Sequence, residues 1–577
     1  MSYSKEAKSD FDTSVSPVQV TDAPGQETSK GWFGNLKDSF KPAQMEELDP
    51  NLSDVEKANI MAAKSPLQRS LKPRHIQMIA LGGSIGTGLF VGSGSALSTG
   101  GPAALLIAWG LVGIMIYCTV QAMGELTVTY PVSGSFVQYN TRFISAPWGF
   151  CMAYNYAMQW LVVLPLELVA ASITIKFWND KVNSAAWVAI FYVVIVIINF
   201  FGVRGYGEAE LIFALVKVLA VIGFIILGVI LNCGGGPKGG YIGGQYFYNP
   251  GAFADGFKGV CAVFVTAAFS FAGTELCGLA AAETANPRKS LPSAIKQVFW
   301  RITLFYIISL TMVGLLVPYD DPRLLSSSSV DAAASPFVIA IRNGGIKVLP
   351  SIMNVVIMIA VLSVGNSSVY ACSRTIASLA QQSFAPKIFG YIDRSGRPLV
   401  AVILCLVFGL LCFLAASPKE GDVFNWLLAL SGLSSVFTWG SICFCHIRFR
   451  RALAIRGRGP DELVFTAQAG VIGSWFGFIL NVLILIAQFW IALFPIGGKP
   501  NASDFFMAYL TVPVLIAFYT FYMIWKKDFT IFHRAADIDV DTGRRDFDLD
   551  LVKQEVAEEK AFLAAKPFYY RVYKFWC

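Results

Sequence analysis

The chain has 577 residues, of which 55% are hydrophobic and 14% charged, and its mean hydropathy is +0.57. Apolar runs of about 20 residues, each long enough to cross about 30 Å of hydrocarbon as a helix, recur from Ile76 onward and exclude a soluble multidomain protein. The formal charge of +7 lies mainly in loops between these runs, where it reports membrane topology rather than nucleic-acid binding.

Residues 1–73 are polar and lack the apolar core of a cleaved signal peptide, so they are expected to form a disordered cytosolic tail. Polar, Gly and Pro punctuation divides residues 74–526 into twelve expected transmembrane helices. Connections containing "NPRKS" (Asn286 to Ser290), "IDRSGR" (Ile392 to Arg397) and "HIRFRRALAIRGRG" (His446 to Gly459) carry Lys and Arg, and all share one side if twelve helices alternate. The positive-inside rule makes that side cytosolic, together with both termini. On the opposite side, residues 318–350 include a stretch too polar and short to span, expected as a partly helical outer element that serves as a lid. Residues 527–577 form a second expected cytosolic tail, in which "DLDLVKQEVAEEKAFLAA" reads as a helix, either solvated or docked under the bundle. Nine of the eleven cysteines fall in or beside apolar runs and Cys233 has no obvious partner. The terminal Cys577, in "YYRVYKFWC", suits S-acylation among lipid headgroups.

The first apolar run contains "GGSIGTGL", with four glycines in seven residues, each costing roughly 1 kcal/mol of helix propensity relative to Ala. The sixth contains "FSFAGTEL", again near the middle of its run. Two interrupted helices five spans apart cross in opposite senses, which points to an inverted-repeat transporter with its site at the midplane. Repeat one would occupy about 76–231, repeat two about 258–445, and two additional helices about 470–526. Close packing by small residues is the competing use of Gly82 and Gly86.

An interrupted helix offers backbone N–H groups at one half-helix start and carbonyls at the other half's end. Amides of Thr87, Gly88 and Leu89 would favour a carboxylate, while carbonyls near Ser84, Ile85, Phe269 and Ser270 would favour an ammonium. Both charges on one small molecule describe an α-amino acid, over which Phe271 could close.

Ionisable side chains inside an apolar run need a reason, since each costs several kcal/mol unless paired or hydrated. Glu125, Glu167, Lys217 and Glu275 stand out. Lys217 lies ~12 Å into the fifth run at 1.5 Å per residue, too deep to snorkel fully. Facing the first interruption, it could exchange protons during transport, because burial disfavours the charged form of an amine. Glu275 could receive a cationic side chain, relay a proton or pair with Lys217. Glu125 reads as interfacial, and Glu167 beside Pro165 is ambiguous. In the eighth run Ser363, Asn366 and Ser367 are polar lining candidates.

The stretches "GGSIGTGLFVGSG", "FSFAGTELCGLAAAETANPRKSLPSAIKQVFWRI" and "FNWLLALSGLSSVFTWGSICFCHIRFR" resemble the fungal amino-acid permeases of the amino acid–polyamine–organocation superfamily, and most of all the general permeases of yeasts. The resemblance runs from "DPNLSDVEKA" to the final "FWC". It implies an all-α polytopic protein of the LeuT-like fold, with a five-plus-five inverted repeat, two additional helices, and helices 1 and 6 unwound at the midplane. It implies a plasma-membrane carrier, trafficked through the endoplasmic reticulum and endosomes, that takes up many L-amino acids with protons and needs no cofactor. Ser84, Ile85, Gly86, Thr87 and Gly88, with Phe269, Ser270, Phe271, Ala272, Gly273, Thr274 and Glu275, then correspond to substrate-binding segments, and Lys217 to a proton-coupling lysine. Lys5, Lys8, Lys30, Lys37 and Lys41 are candidate ubiquitination sites, which makes ubiquitin ligase machinery an expected partner.

His75, His446 and His533 are the only histidines and lie at the ends of apolar runs, so neither a histidine metal centre nor an enzyme is expected. A channel would need a filter or charged ring that is absent. A permease narrowed to basic amino acids, or a nutrient receptor using the same pocket, remains as an alternative.

Overall fold

The computed structural model describes residues 37–43, 60–61, 65–178, 181–284, 287–324, 335–416, 420–544 and 549–576. Lys5, Lys8, Lys30 and Cys577 lie outside these residues. Contacts divide the chain into two units, Met1–Lys41 and Pro42–Cys577. In the first, Lys37 and Lys41 are exposed and Lys41 pairs with Asp38 at 2.7 Å.

The second unit is built from helices, and among the described residues the only β contacts are two isolated bridges. In chain order they are α1 (Pro73–Gly82), α2 (Ser93–Thr129), α3 (Phe136–Phe143), α4 (Ala146–Ile175), α5 (Ser184–Phe200), α6 (Gly202–Asn232), α7 (Gly256–Phe271), α8 (Leu276–Leu279), α9 (Pro287–Arg301) and α10 (Ser309–Leu316). There follow α11 (Pro336–Asn343), α12 (Leu349–Gln381), α13 (Leu399–Gly409), α14 (Glu420–Ile455), α15 (Gly470–Leu493), α16 (Ala502–Tyr509), α17 (Thr511–Lys526), α18 (Leu549–Ala564) and α19 (Phe568–Trp576). Their starts carry the expected signals: Pro73, Pro147, Pro336 and Pro350 sit in first turns, and Asn183 caps α5 by accepting the Ala185 N–H at 2.9 Å.

Among the described residues, seven helical runs are long and apolar enough to cross a membrane, or eight if α16 and α17, bent by 63°, are one span. Three of the expected spans differ locally from a simple long helix. α1 has only ten residues, α5 only seventeen, and α2 folds at Gly101, where φ is +82° just before Pro102. The carboxyl-terminal part of the first apolar run and the whole second run thus form one element. α4 and α12 are buried along most of their apolar length, whereas α6 and α15 expose Ile212, Leu219, Ile226, Ile472 and Ile486. Rows of exposed aliphatic side chains are costly in water and costless in lipid, so these faces identify a multi-pass membrane protein.

The partly helical element expected within residues 318–350 materialises as α11, whose residues Pro336 to Ile341 are buried. Ser335 donates to the Phe90 carbonyl at 2.6 Å, and Phe337 meets Phe90 edge-on at 5.2 Å. Nearby, the Arg323 guanidinium bonded to Asp321 holds that carboxyl below the usual carboxylate range.

Both tails pack more than their composition suggests. Leu67 and Leu71 are buried, and the Leu71 N–H bonds the Glu283 carbonyl at 3.1 Å, so ordered chain begins before the expected boundary at residue 73. In the carboxyl tail α18 packs on the turn at Pro460–Glu462 while its described side chains stay mostly exposed, and the strap 533–544 that precedes it is the more deeply docked part. Ile538 and Val540 are buried, Tyr130 donates to the Val540 carbonyl at 2.6 Å, the His533 N–H bonds the Ile144 carbonyl at 2.8 Å, and Arg544 reaches Glu462 at 2.8 Å. The strap is a run of loop that needs partners for its backbone polar groups, and these bonds supply some of them.

Candidate functional site

α1 stops at Gly82 and helical structure resumes only in a π-helical turn, Gly88–Gly92. α7 stops at Phe271, and α8 starts at Leu276. The two gaps lie against each other and run antiparallel. A Cβ placed on Gly88 would stand 2.5 Å from the Ser270 Cα, and one on Gly273 would stand 3.1 Å from the Gly83 carbonyl oxygen. Gly273 also has φ +94°, a conformation that side-chain-bearing residues rarely adopt. Glycine is therefore required at Gly88 by close approach and at Gly273 by backbone angle. The small-residue packing role is also real at Gly82, which lies directly against Ala214 of α6.

Each candidate side chain has a definite place. Ser84 lies 3.1 Å from the Tyr306 hydroxyl, Ile85 is buried, and Gly86 abuts Val364. Thr87 donates to Glu167 of α4, whose other carboxylate oxygen is buried with no hydrogen-bond partner among the described residues. Phe269 is half-buried; Ser270 and Phe271 are buried, and the Phe271 ring packs on Tyr306 at 4.2 Å. The Ala272 N–H bonds the Phe269 carbonyl at 3.1 Å, and Thr274 donates to the Phe271 carbonyl at 2.6 Å.

Lys217 of α6 is fully buried and reaches the end of α1, donating to the Gly82 carbonyl at 2.6 Å and to Ser363 at 2.7 Å. Its acidic neighbour is Glu210, seven residues earlier on the same helix, at 3.5 Å, and Ser363 donates to the other Glu210 oxygen at 2.7 Å. The pairing of Lys217 with Glu275, one of three roles open to that carboxylate, is thus not formed. Glu275 is held by three donors: Tyr156 at 3.2 Å and the Gly273 N–H at 3.3 Å on one oxygen, and the Trp439 indole at 3.1 Å on the other. Of the other polar candidates in α12, Asn366 takes a bond from Asn199 at 3.0 Å and Ser367 lies 3.2 Å from Tyr206.

Three more residues belong to this region and escape a search for charges at mid-run. Glu210 lies close to the start of its apolar run and resembles a membrane-edge acid; its seven-residue spacing from Lys217, two helical turns, is the signal that pairs them. Arg301 lies where the polar "NPRKS" segment turns apolar, yet it is fully buried and donates to the Ala80 carbonyl and to Thr274. Tyr306 lies 2.7 Å from the Ser270 carbonyl and 3.2 Å from that of Ser84. Around the two gaps three carboxylates, Glu167, Glu210 and Glu275, therefore stand with two cations, Lys217 and Arg301.

Glu125, four residues from the end of α2, is fully buried within the protein, 2.9 Å from His446 and 2.6 Å from Arg450, and accepts the Ala467 N–H at 2.8 Å. Those bonds lock α2 to α14 and to the segment leading into α15. Among the described residues no group of three or more His, Cys, Asp or Glu is arranged to hold a metal ion.

The amino acid permease family model matches residues 75–533. The chain is 68% identical over 563 residues to general amino-acid permease GAP2 of Candida albicans, covering 97% of this chain and 96% of that one. It is 61% identical over 549 residues to general amino-acid permease GAP1 of Saccharomyces cerevisiae, covering 94% and 91%. Among solved structures, a manganese transporter of Eremococcus coleocola superposes with a TM-score of 0.51 at 12% identity, covering 85% of this chain and 98% of that one. At that identity the likeness establishes a shared fold and nothing about cargo.

Proposed function

This chain belongs to the amino acid permease family, and from that membership we propose proton-coupled uptake of a broad range of L-amino acids across the plasma membrane by alternating access. It is a transporter and not an enzyme. The observation that carries the reading is the antiparallel crossing of the two helix gaps. It gathers the carbonyl ends of α1 and α7, suited to an ammonium, beside the helix start at Thr87 and Gly88, suited to a carboxylate. Twelve spans arranged as five plus five plus two, with gaps near the midplane and both termini in the cytosol, fit this mechanism. Lys217 serves as the proton-exchanging group, because its ammonium holds the last carbonyl of α1 and its release would free that helix end. The excess of one carboxylate over cations leaves room for one more positive charge, a proton or the substrate's ammonium. Acylation of Cys577 and ubiquitination of Lys37, Lys41 or the lysines before them would then govern residence at the surface.

Uptake of labelled amino acids in cells lacking their own permeases, with and without a protonophore, tests the proposal. Acidic, neutral and basic amino acids should all accumulate, and the protonophore should abolish accumulation; uptake indifferent to the gradient would sink proton coupling.

A narrower carrier of basic amino acids is the second reading, favoured by the buried carboxylate of Glu275 within the α7–α8 gap. Glu275→Gln should then reduce lysine and arginine uptake at least about tenfold more than leucine uptake, the scale of one lost charged hydrogen bond. Equal losses would leave the broad reading standing.

A further inference from the structure

Arg301 poses an energetic problem. Its side chain is fully buried, yet among the described residues no carboxylate lies within 4 Å of it, and its Nε has no hydrogen-bond partner. An unpaired guanidinium away from water is expensive, and replacing it by an apolar side chain of similar size would relieve that cost. The structure shows what it holds instead. One terminal nitrogen donates to the carbonyl of Ala80, in the last turn of α1, where unpaired carbonyls and the helix dipole favour a cation. The other donates to the Thr274 hydroxyl, which in turn donates a hydrogen bond to the carbonyl of Phe271, the last residue of α7. A single guanidinium thus reaches the ends of both helices that lead into the gaps.

Tyr306 repeats the arrangement from one π-helical turn further along. Residues Ile302–Ile308 are π-helical, a register that brings residues five apart onto one face, and it stacks Arg301 and Tyr306 toward the gaps. Arg301 spans residues 80 and 274, and Tyr306 spans residues 84 and 270, so the two clasps close opposite ends of the same antiparallel crossing.

We propose that Arg301 is a positioning residue for substrate binding: through Ala80 and Thr274 it holds the two helix gaps in the register that forms the amino-acid pocket. This rests on the transport reading above. A planar guanidinium holds two donors on separate nitrogens in a rigid fork that matches two spaced acceptors, whereas the compact ammonium of lysine on a flexible stem fixes no such spacing. Because Arg301 sets backbone positions rather than contacting substrate side chains, its loss acts alike on every substrate.

The test compares wild type, Arg301→Lys, Arg301→Met, Thr274→Val and the Arg301→Lys/Thr274→Val double variant, each normalised to protein at the cell surface. KM for alanine, leucine and lysine should rise together by about tenfold in Arg301→Lys and in Thr274→Val, the size of one lost charged hydrogen bond. The double variant should be little worse than either single one, since both break the same link. Arg301→Met should lose measurable uptake. Hydrogen exchange of the purified protein in segments 80–88 and 270–276 should quicken severalfold in both single variants, a readout that needs no substrate. Unchanged KM and unchanged exchange in Arg301→Lys and Thr274→Val would overturn the proposal, as would reduced surface protein with wild-type KM, which marks a merely structural residue. Wild-type protein without uptake of any amino acid would instead overturn the transport reading, and the exchange data would still decide the role of Arg301.

Discussion

Lys217→Met should abolish accumulation of amino acids against a gradient, lowering concentrative uptake at least about a hundredfold, the scale of a broken buried ion pair. Methionine nearly fills the same volume, so the packing of α6 against α1 survives while three polar contacts vanish: to Gly82 at 2.6 Å, to Ser363 at 2.7 Å and to Glu210 at 3.5 Å. Glu210 is then left in a dry interior with the Ser363 hydroxyl and no cation. The ion pair has no substitute nearby, since the other buried cation of the region, Arg301, is engaged elsewhere. Labelled leucine uptake under an imposed pH gradient, set beside equilibrium exchange of preloaded leucine, separates the outcomes. Lost accumulation with exchange retained supports proton coupling at Lys217, and undiminished accumulation ends it. Glu210→Gln should show the same split more weakly, because Lys217 keeps its carbonyl and hydroxyl acceptors.

Gly88→Ala should be nearly as damaging, for a steric rather than an electrostatic reason. The added methyl would stand 2.5 Å from the Ser270 Cα and 2.9 Å from its backbone nitrogen. These are main-chain atoms that no rotamer change removes, so the gaps must part by about 1 Å, a displacement that costs on the order of a hundredfold in positioned chemistry. Gly110→Ala in α2 is the matched control: nothing lies within 4 Å of its added methyl, and alanine is the better helix former by roughly 1 kcal/mol. Uptake at equal surface abundance should collapse in the first variant and hold in the second. Similar behaviour of the two would show that the gaps need not touch.

Much of this region was legible because membrane helices make exceptions conspicuous. Four glycines in an apolar run, or one lysine in "IFALVKVLAV", violate the local rule and so mark Gly82 to Gly88 and Lys217. Residues that obey the rule stayed hidden. Arg301 sits where a positive charge at the membrane edge is ordinary, and Tyr306 is one of 21 tyrosines, most of which carry no such role. Their importance comes from a π-helical register that hydropathy does not encode. The ion-pair network of Glu125 stayed hidden for the related reason that its partners His446, Arg450 and Ala467 are over 300 residues away, beyond any local pattern. Element boundaries were hidden likewise, since Gly101 welds two apolar runs into one element while Gly82 and Phe271 end elements inside theirs.

The strap at 533–544 also sets a timetable. Tyr130 donates to a carbonyl that lies 410 residues further along the chain. At about 5–20 residues per second, synthesis reaches Val540 roughly 20–80 s after Tyr130 emerges, and through that interval the α2–α3 connection lacks its final cover. Covering of this connection therefore waits on synthesis through Val540. A chain that terminates before Val540 would present the same open face as one still on the ribosome, and cellular quality control would have a physical mark by which to recognise both.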